Sequence, residues 1–238
     1  MSSFPRFDPV YRATIDRLLQ GQAYRELGAA RLFEDGRALA PTPALADVIA
    51  AHAAEERAHF RAVLAAWAAF SGEAAAALEA RAEARLGERP LPAVTTWFDL
   101  AMAQFLFDRA GLWQLREYRE CSFAPYQTLV AGILGDERNH QDFGAEAVVG
   151  WCRAQGAGPA ANAVFARWLA VALLSFGRPG SEGDRYAVAA GLKRRPAAAV
   201  MGDFLDDIQP TVARAGLTFP APAMLPVALT LELSARLV

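Results

Sequence analysis

The sequence contains few residues of the kinds that build crosslinks and thiolate metal sites. Among its 238 residues are only 2 cysteines and 3 histidines. Cys121 and Cys152 are too few for a disulfide framework or a cysteine-bound metal cluster, and we expect them to be unpaired thiols. This low cysteine content is typical of a protein of the reducing cytoplasm.

A strong charge of either sign is also missing, since the formal net charge is −2. A nearly neutral chain has no general attraction to nucleic acid or to anionic lipid. The longest apolar stretch, at residues 161–176, contains Arg167 and is shorter than the roughly 20 residues that span a bilayer. Residues 1–10 lack the basic and apolar order of an export signal. We therefore expect no nucleic-acid binding, no membrane insertion and no export.

Hydrophobic residues, by contrast, are abundant and are spaced as in helices. They make up 54% of the chain, and charged residues make up 21%, as in ordinary folded proteins. The length suits a single domain over residues 1–238. Long helices are predicted at about residues 11–33, 42–70, 96–119 and 126–153, and shorter ones at about 73–86, 160–176 and 198–215, with a proline-rich tail packed on them from about residue 217.

Two of the three histidines follow a glutamate by three positions, in Glu56-Arg57-Ala58-His59 and Glu137-Arg138-Asn139-His140. Residues three apart share one face of a helix, so each segment presents a carboxylate beside an imidazole. In ferritin-like four-helix bundles, two such segments and one carboxylate from each of two other helices hold two iron ions. The pattern therefore predicts an all-α, ferritin-like four-helix bundle with additional C-terminal helices.

This arrangement requires one carboxylate from the first long helix and one from the third. Glu26 is the central acid of the first helix and precedes Glu56 by 30 residues. Asp108 repeats that spacing, because it precedes Glu137 by 29 residues. The other acids of the third helix lie too far along it to reach the same plane. The rejected acids are Asp99, Glu117 and Glu120, and the predicted metal ligands are Glu26, Glu56, His59, Asp108, Glu137 and His140.

Each part of this assignment has a plainer alternative. A single Glu-x-x-His segment is usually a solvated helix face, and Asp108 could instead pair with an arginine. Glu55 and Asp136 could accept the remaining N–H of the metal-binding histidines, or they could be surface acids. His52 is expected to be a pocket or packing residue, because it lies two turns before His59, beyond direct contact with the same metal.

Beyond these positions, the sequence resembles the catalytic subunit of the phenylacetyl-CoA epoxidase family over most of its length. The most diagnostic segment is Cys121-Ser122-Phe123-Ala124-Pro125-Tyr126, which a generic ferritin-like protein has no reason to carry. Other matching segments are Tyr24-Arg25-Glu26-Leu27-Gly28, Phe107-Asp108 and Phe143-Gly144-Ala145-Glu146. The resemblance places the family's iron ligands on the same six residues that the spacing predicts.

The resemblance implies an O2-dependent monooxygenase of phenylacetate catabolism, which epoxidises the ring of an aromatic acyl-CoA. Two iron ions, or manganese as the close alternative, would be the cofactor. Electrons would come from a separate reductase, and a structural subunit or a second copy of the chain would be the partner. The resemblance also implies basic residues for the coenzyme A phosphates, and the candidates are Arg17, Arg85 or Arg89, Lys193 and Arg194, each of which could instead be a surface charge.

Two other functions remain open from the sequence. A ferroxidase or iron-handling protein would use the same site without an organic substrate. A non-catalytic structural subunit of an oxygenase complex would keep the bundle without the chemistry.

Overall fold

The computed structural model describes residues 8–225 and 229–237. The remaining residues lie outside the described part of the chain; they include most of the segment considered above as an export signal and four residues of the proline-rich tail. Helices dominate what is described, and no strand occurs within those two ranges. The predicted all-α class is confirmed, and the helical composition is consistent with a ferritin-like bundle.

The chain folds into two compact units, each assembled from separate segments. The first unit takes the described residues up to Val94, together with Tyr118–Ile133 and Tyr186–Arg194. The second unit takes Thr95–Glu117, Leu134–Arg185 and the described residues from Arg195 onward. That both belong to the single domain predicted above stays a prediction.

Two long helices form the main part of the first unit. Helix α1 spans Pro9–Gly36 and begins at Asp8, whose carboxylate accepts a hydrogen bond from the Val10 amide at 2.9 Å. Helix α2 spans Pro43–Ser71 and is capped by Thr42, in agreement with the predicted start at about residue 42. Both starts combine an N-capping side chain with a proline in the first turn, which is a strong signal for a helix beginning.

The rest of the first unit is shorter. Helix α2 ends at Gly72, whose φ of 78° is a left-handed conformation that glycine adopts without strain. Helix α3 spans Ala75–Glu88 and buries Leu78 and Leu86. A single 3-10 turn, Arg37–Leu39, joins α1 to the loop before α2.

The second unit contains the helix that was predicted at about residues 96–119, but in three consecutive parts. These are helix α4 at Trp97–Ala103, a π-helical turn at Gln104–Asp108 and helix α5 at Arg109–Glu117. The sequence did not predict the π-turn, because no residue type marks an i to i+5 hydrogen bond. π-Turns inside helices are rare and are frequently found at functional sites.

Helices α6, α7 and α9 span Ala124–Gln155, Pro159–Ser175 and Ala197–Ala215. Helix α6 begins in the first unit and ends in the second, since the units divide at Ile133. In the tail, a 3-10 turn at Pro222–Met224 precedes the short helix α10 at Leu231–Ser234 and a last 3-10 turn at Ala235–Leu237. The described part of the tail packs within the second unit through buried leucines, namely Leu217, Leu225, Leu233 and Leu237.

Two of the described helices were not predicted, the four-residue α10 in the tail and α8. Helix α8 spans Glu182–Ala189, and the Asp184 amide donates to Ser181 Oγ at 3.2 Å at its beginning. Ser181 followed three residues later by Asp184 is a capping pattern that indicates the start of a helix. None of the described helices is long and apolar enough to cross a membrane. Both cysteines are free and buried, as expected.

Candidate metal centre

The first unit brings three of the predicted ligands together at the middle of the α1–α2 pair. His59 Nδ1 lies 3.4 Å from Glu26 Oε2 and 3.9 Å from Glu56 Oε2. All three side chains are buried, and each offers a ligand atom within 4.8 Å of the others. Two carboxylates and an imidazole in the interior of a protein could hold a metal ion.

Contacts on either side of this cluster explain why these residues meet. Near one end of the pair, Trp67 Nε1 donates to Asp16 Oδ1 at 2.7 Å. Near the other end, the rings of Phe33 and His52 meet edge to face at 6.1 Å. The two helices therefore run antiparallel, and the middle of α1 faces the first Glu-x-x-His segment. His52 is a packing residue, as the sequence suggested.

Burial and mutual contacts shift the pKa values of all three side chains in this cluster. Burial raises the pKa of Glu56 well above its usual value, and the neighbouring Glu26 carboxylate raises it further. Burial also raises the pKa of Glu26, but hydrogen bonds from His59 and Glu56 outweigh it and lower that pKa. For His59, burial acts to lower the pKa, yet the two carboxylates raise it to about 11. The protein without metal thus holds a proton on His59 where a cation would bind, and metal uptake would release it.

Two residues that the sequence analysis missed support Glu26. The Gln22 amide nitrogen donates a short hydrogen bond to Glu26 Oε1. The Tyr126 hydroxyl in turn donates to Gln22 Oε1 at 3.0 Å. A signal for Tyr126 was available, because it ends the six-residue segment that carries the family resemblance; Gln22 had no signal of its own.

The other three predicted ligands belong to the second unit, and all are buried. Asp108 is 4% exposed, Glu137 is 5% exposed and His140 is fully buried. Asp108 is the last residue of the π-turn, whereas Glu137 and His140 lie one turn apart on α6. None of the three is a solvated surface residue, so the alternative of an exposed helix face fails for the second motif.

The packing of the π-turn on α6 indicates which residues lie at the same level. The Phe98 and Trp151 rings stack at 4.1 Å, near the start of α4. Further along, Gly144 approaches the π-turn so closely that a Cβ on it would lie 2.5 Å from the Phe105 backbone nitrogen. Phe98 contacts Trp151, whereas Phe105, later in the chain, contacts the earlier residue Gly144. The two helices therefore run antiparallel.

A third contact continues this register to the site. The Arg109 guanidinium lies 3.8 Å from the Asp142 carboxylate. In an antiparallel pair with these contacts, Asp108 lies opposite residues 141–143 of α6, which directly follow His140 in the chain. Asp108 therefore lies within about one helical turn of His140, at the C-terminal end of the second Glu-x-x-His segment.

Two of the acids rejected on spacing have structural partners instead. Asp99 pairs with Arg167 and accepts a hydrogen bond from Thr95 Oγ1 at 2.9 Å. Glu117 accepts two hydrogen bonds from Arg195, at 2.7 and 3.1 Å. Both carboxylates are almost completely buried, 2% exposed each. Their burial would have made them attractive ligand candidates, but arginines neutralise them.

The basic residues nominated for coenzyme A phosphates all belong to the first unit and make local contacts. Arg17 is exposed and donates to Thr14 at 2.9 Å. Arg85 lies over the Tyr24 ring, 4.7 Å from its centre. The Tyr24 hydroxyl donates to the backbone carbonyl of Arg89 at 2.8 Å. Lys193 is half-buried and Arg194 is exposed just after α8, and the phosphate-binding role of these residues stays a prediction.

The sequence also suggested that Glu55 and Asp136 either accept a hydrogen bond from the metal-binding histidines or are surface acids. Glu55 and Asp136 are both half-buried. Their hydrogen bonding to His59 or His140 stays a prediction.

Taken with the fold, the cluster in the first unit defines a class: an all-α protein with a buried carboxylate–imidazole group that could bind a metal ion. Residues 48–226, which are 179 of the 238, match the phenylacetic acid catabolic protein family. The chain belongs to this family, and the resemblance to the phenylacetyl-CoA epoxidase family is confirmed. Membership implies an oxygenase-like role in phenylacetate catabolism. No curated protein matches the chain.

The matched range contains five of the six predicted ligands, from Glu56 to His140. Glu26 lies before it, so its place in the site depends on the contacts with His59 and Gln22 described above.

Proposed function

We propose that the protein is an O2-dependent monooxygenase with a two-metal centre, iron being favoured and manganese the alternative, which inserts an oxygen atom into an aromatic acyl-CoA. The buried cluster of Glu26, Glu56 and His59 carries this proposal. A cluster without a ligand-binding role would leave two carboxylates and a histidine in the interior at a considerable desolvation cost.

The six predicted residues would divide between the two ions. Glu26 with His59 would complete one ion, and Asp108 with His140 would complete the other. Glu56 and Glu137, the glutamates of the two Glu-x-x-His segments, would complete the ligand set of the pair, as in ferritin-like bundles. Support comes from the burial of all six side chains and from the helix register, which sets Asp108 opposite the residues that directly follow His140.

Charge balance also supports two divalent ions. Four carboxylates neutralise two Fe(II), so a loaded centre would carry no large net charge into the protein interior. Oxygen and nitrogen donors of this kind suit iron and manganese better than they suit copper. At neutral pH, His59 would exchange its proton for the metal, because the two carboxylates raise its pKa to about 11.

Bound iron would supply the site at which O2 is activated. One oxygen atom would enter the substrate and the other would leave as water, which requires two electrons and two protons. A separate reductase would deliver the electrons, because the two cysteines, both buried, are too few for an iron–sulfur cluster. A structural subunit or a second copy of the chain is the proposed partner.

The acyl-CoA substrate is proposed from family membership and from the basic residues of the first unit. Arg17 and Arg194 expose their side chains to solvent, and Lys193 is partly exposed, so a phosphate could reach them. Guanidinium and ammonium groups are the usual partners of phosphate oxygens in proteins.

The test is to load the purified protein with Fe(II) without oxygen, count the iron per chain, and then measure O2 consumption. Consumption that requires both phenylacetyl-CoA and reducing equivalents, with oxygen incorporated into the ring, supports the monooxygenase. O2 consumption driven by Fe(II) alone indicates a ferroxidase, and a chain that binds no iron indicates a structural subunit. Glu34→Gln, a surface substitution on α1, is the control and should leave iron binding unchanged.

A further inference from the structure

We infer that Gln22 and Tyr126 are positioning residues that orient the Glu26 carboxylate for metal binding. This inference rests on the proposed function, since it assigns Glu26 to a metal. Gln22 is 7% exposed and Tyr126 is fully buried. Neither side chain belongs to the predicted ligand set, and both lie in the first unit together with Glu26.

The three side chains form a chain of hydrogen bonds that ends at the ligand. The Tyr126 hydroxyl donates to Gln22 Oε1 at 3.0 Å. Gln22 and Glu26 are one turn apart on α1, and the Gln22 amide nitrogen donates to Glu26 Oε1. All three residues are buried, so solvent does not compete for these hydrogen bonds.

The tyrosine determines which way the glutamine amide faces. A glutamine carries an acceptor oxygen and a donor nitrogen of nearly the same size, and rotation of the amide exchanges them. A hydroxyl that donates to Oε1 turns Nε2 toward Glu26. Without that hydroxyl, the amide oxygen could rotate toward the carboxylate, and two acceptors would then face each other.

The glutamine in turn distinguishes the two oxygens of Glu26. Oε1 accepts the amide hydrogen bond, whereas Oε2 lies 3.4 Å from His59 Nδ1. Oε2 is therefore the oxygen beside the imidazole with which Glu26 would share a metal ion. Groups that orient a metal ligand in this way typically change metal affinity by about 10- to 100-fold when they are removed.

The segment that precedes Tyr126 keeps the tyrosine in place. The Tyr126 amide donates to the Phe123 carbonyl at 3.0 Å, which forms the first turn of α6. Ser122 is fixed by its amide, which donates to the Gly191 carbonyl at 2.8 Å, and by its hydroxyl, which donates to the Ala190 carbonyl at 2.9 Å. The segment Cys121 to Tyr126, diagnostic in the sequence, thus gains a physical role at the site.

The experiment compares hydroxyl deletions in the whole chain, with Co(II) as the probe metal. Tyr126→Phe removes the hydroxyl and keeps the ring, which contacts Tyr118 at 5.2 Å. We expect its Co(II) dissociation constant to rise about tenfold and its visible Co(II) absorption bands to change. Tyr186→Phe is the matched control, because it deletes a hydroxyl that donates to Asp8 at 2.7 Å in the same unit and away from the segment that holds Tyr126. Affinity and spectrum should be unchanged in the control.

A second variant separates positioning from general destabilisation. Gln22→Leu should weaken Co(II) binding at least as much as Tyr126→Phe does. The double variant should bind no more weakly than Gln22→Leu alone, because the hydroxyl acts only through the amide. Additive losses would overturn the inference, as would a Tyr126→Phe protein with wild-type affinity and spectrum.

Failure of the proposed function gives a different result. A wild-type chain that binds neither Co(II) nor Fe(II) would overturn the metal centre, and the positioning role with it. Circular dichroism of each variant establishes that it is folded. If Gln22→Leu is unfolded, Gln22→Met, which is closer in shape, takes its place in the same comparison.

Discussion

The helices that carry Glu26 and Asp108 position the same kind of ligand in different ways. Helix α1 runs for 28 residues without interruption, and Glu26 lies near its middle. The helix that carries Asp108 is broken by a π-turn, and Asp108 is the last residue of that turn. A regular pair of helices is thus enough to position the Glu26 carboxylate, whereas the position of the Asp108 carboxylate depends on the π-turn.

The interrupted helix is anchored at three points by arginine–carboxylate ion pairs in which at least one side chain is almost completely buried. Its beginning is held through Asp99 by Arg167, and its end through Glu117 by Arg195. In the middle, Arg109 donates to Asp207 of α9 at 2.7 Å. The ion pair between α1 and α2, Arg57 with Glu34, is by contrast partly exposed. Because a π-turn is less stable than an α-helical turn, we expect the helix that contains it to need contacts at several points along its length to keep its conformation.

The largest effects should come from a ligand in each unit. Glu56→Ala and His140→Ala should each lose bound iron and oxygen consumption, while apolar burial keeps the helices formed. Metal analysis and far-ultraviolet circular dichroism of both variants check this. Retention of half the iron in His140→Ala would reveal that the first unit binds one ion by itself. Wild-type turnover in either variant would defeat the assignment of that residue.

The next effect concerns the anchor at the end of the interrupted helix. Arg195→Met removes two hydrogen bonds to Glu117 and leaves that buried carboxylate poorly compensated. We expect a loss of about 2 to 3 kcal/mol in the free energy of unfolding. Arg214→Met breaks a more exposed pair with Glu146 and should lose less than about 1 kcal/mol. Urea unfolding measures both, and equal losses would contradict the distinction between buried and exposed anchors.

The smallest effect tests the close approach of α6 to the π-turn. In Gly144→Ala, the new methyl group would lie 2.5 Å from the Phe105 backbone nitrogen, so backbone must move. We expect a loss of about 1 to 2 kcal/mol in stability and weaker metal binding. Gly150→Ala on the same helix meets nothing within 4 Å and should gain about 0.5 to 1 kcal/mol. A Gly144→Ala protein as stable as Gly150→Ala would show that the contact places no constraint on the π-turn.

Much of the fold could be predicted because its signals are local. Proline and a capping side chain mark the starts of α1 and α2, and Gly72 marks the end of α2. The predicted bounds of these two helices agree with the structure within three residues at each end, since α1 was expected at about 11–33 and spans Pro9–Gly36. Helix α8 was missed because it is short and contains Gly183 among charged residues.

The site was predictable to the extent that it repeats along the chain. Glu26 was selected as the central acid of the first helix, and its spacing to Glu56 then selected Asp108. The same spacing rejected Asp99 and Glu117, which the structure pairs with arginines. The support of Glu26 by Gln22 was not predictable, because its orientation depends on a tyrosine 104 residues away.

The sequence by itself determined the helical class, the two Glu-x-x-His segments and the family, because these depend on residue order and on the period of the helix. Only the tertiary structure decided which buried acids are neutralised by arginines, where the third long helix takes its π-turn, and which oxygen of Glu26 lies beside His59. The reason is physical: neighbours on one helix are fixed by spacing, whereas neighbours on different helices are fixed by packing, which the whole chain determines together.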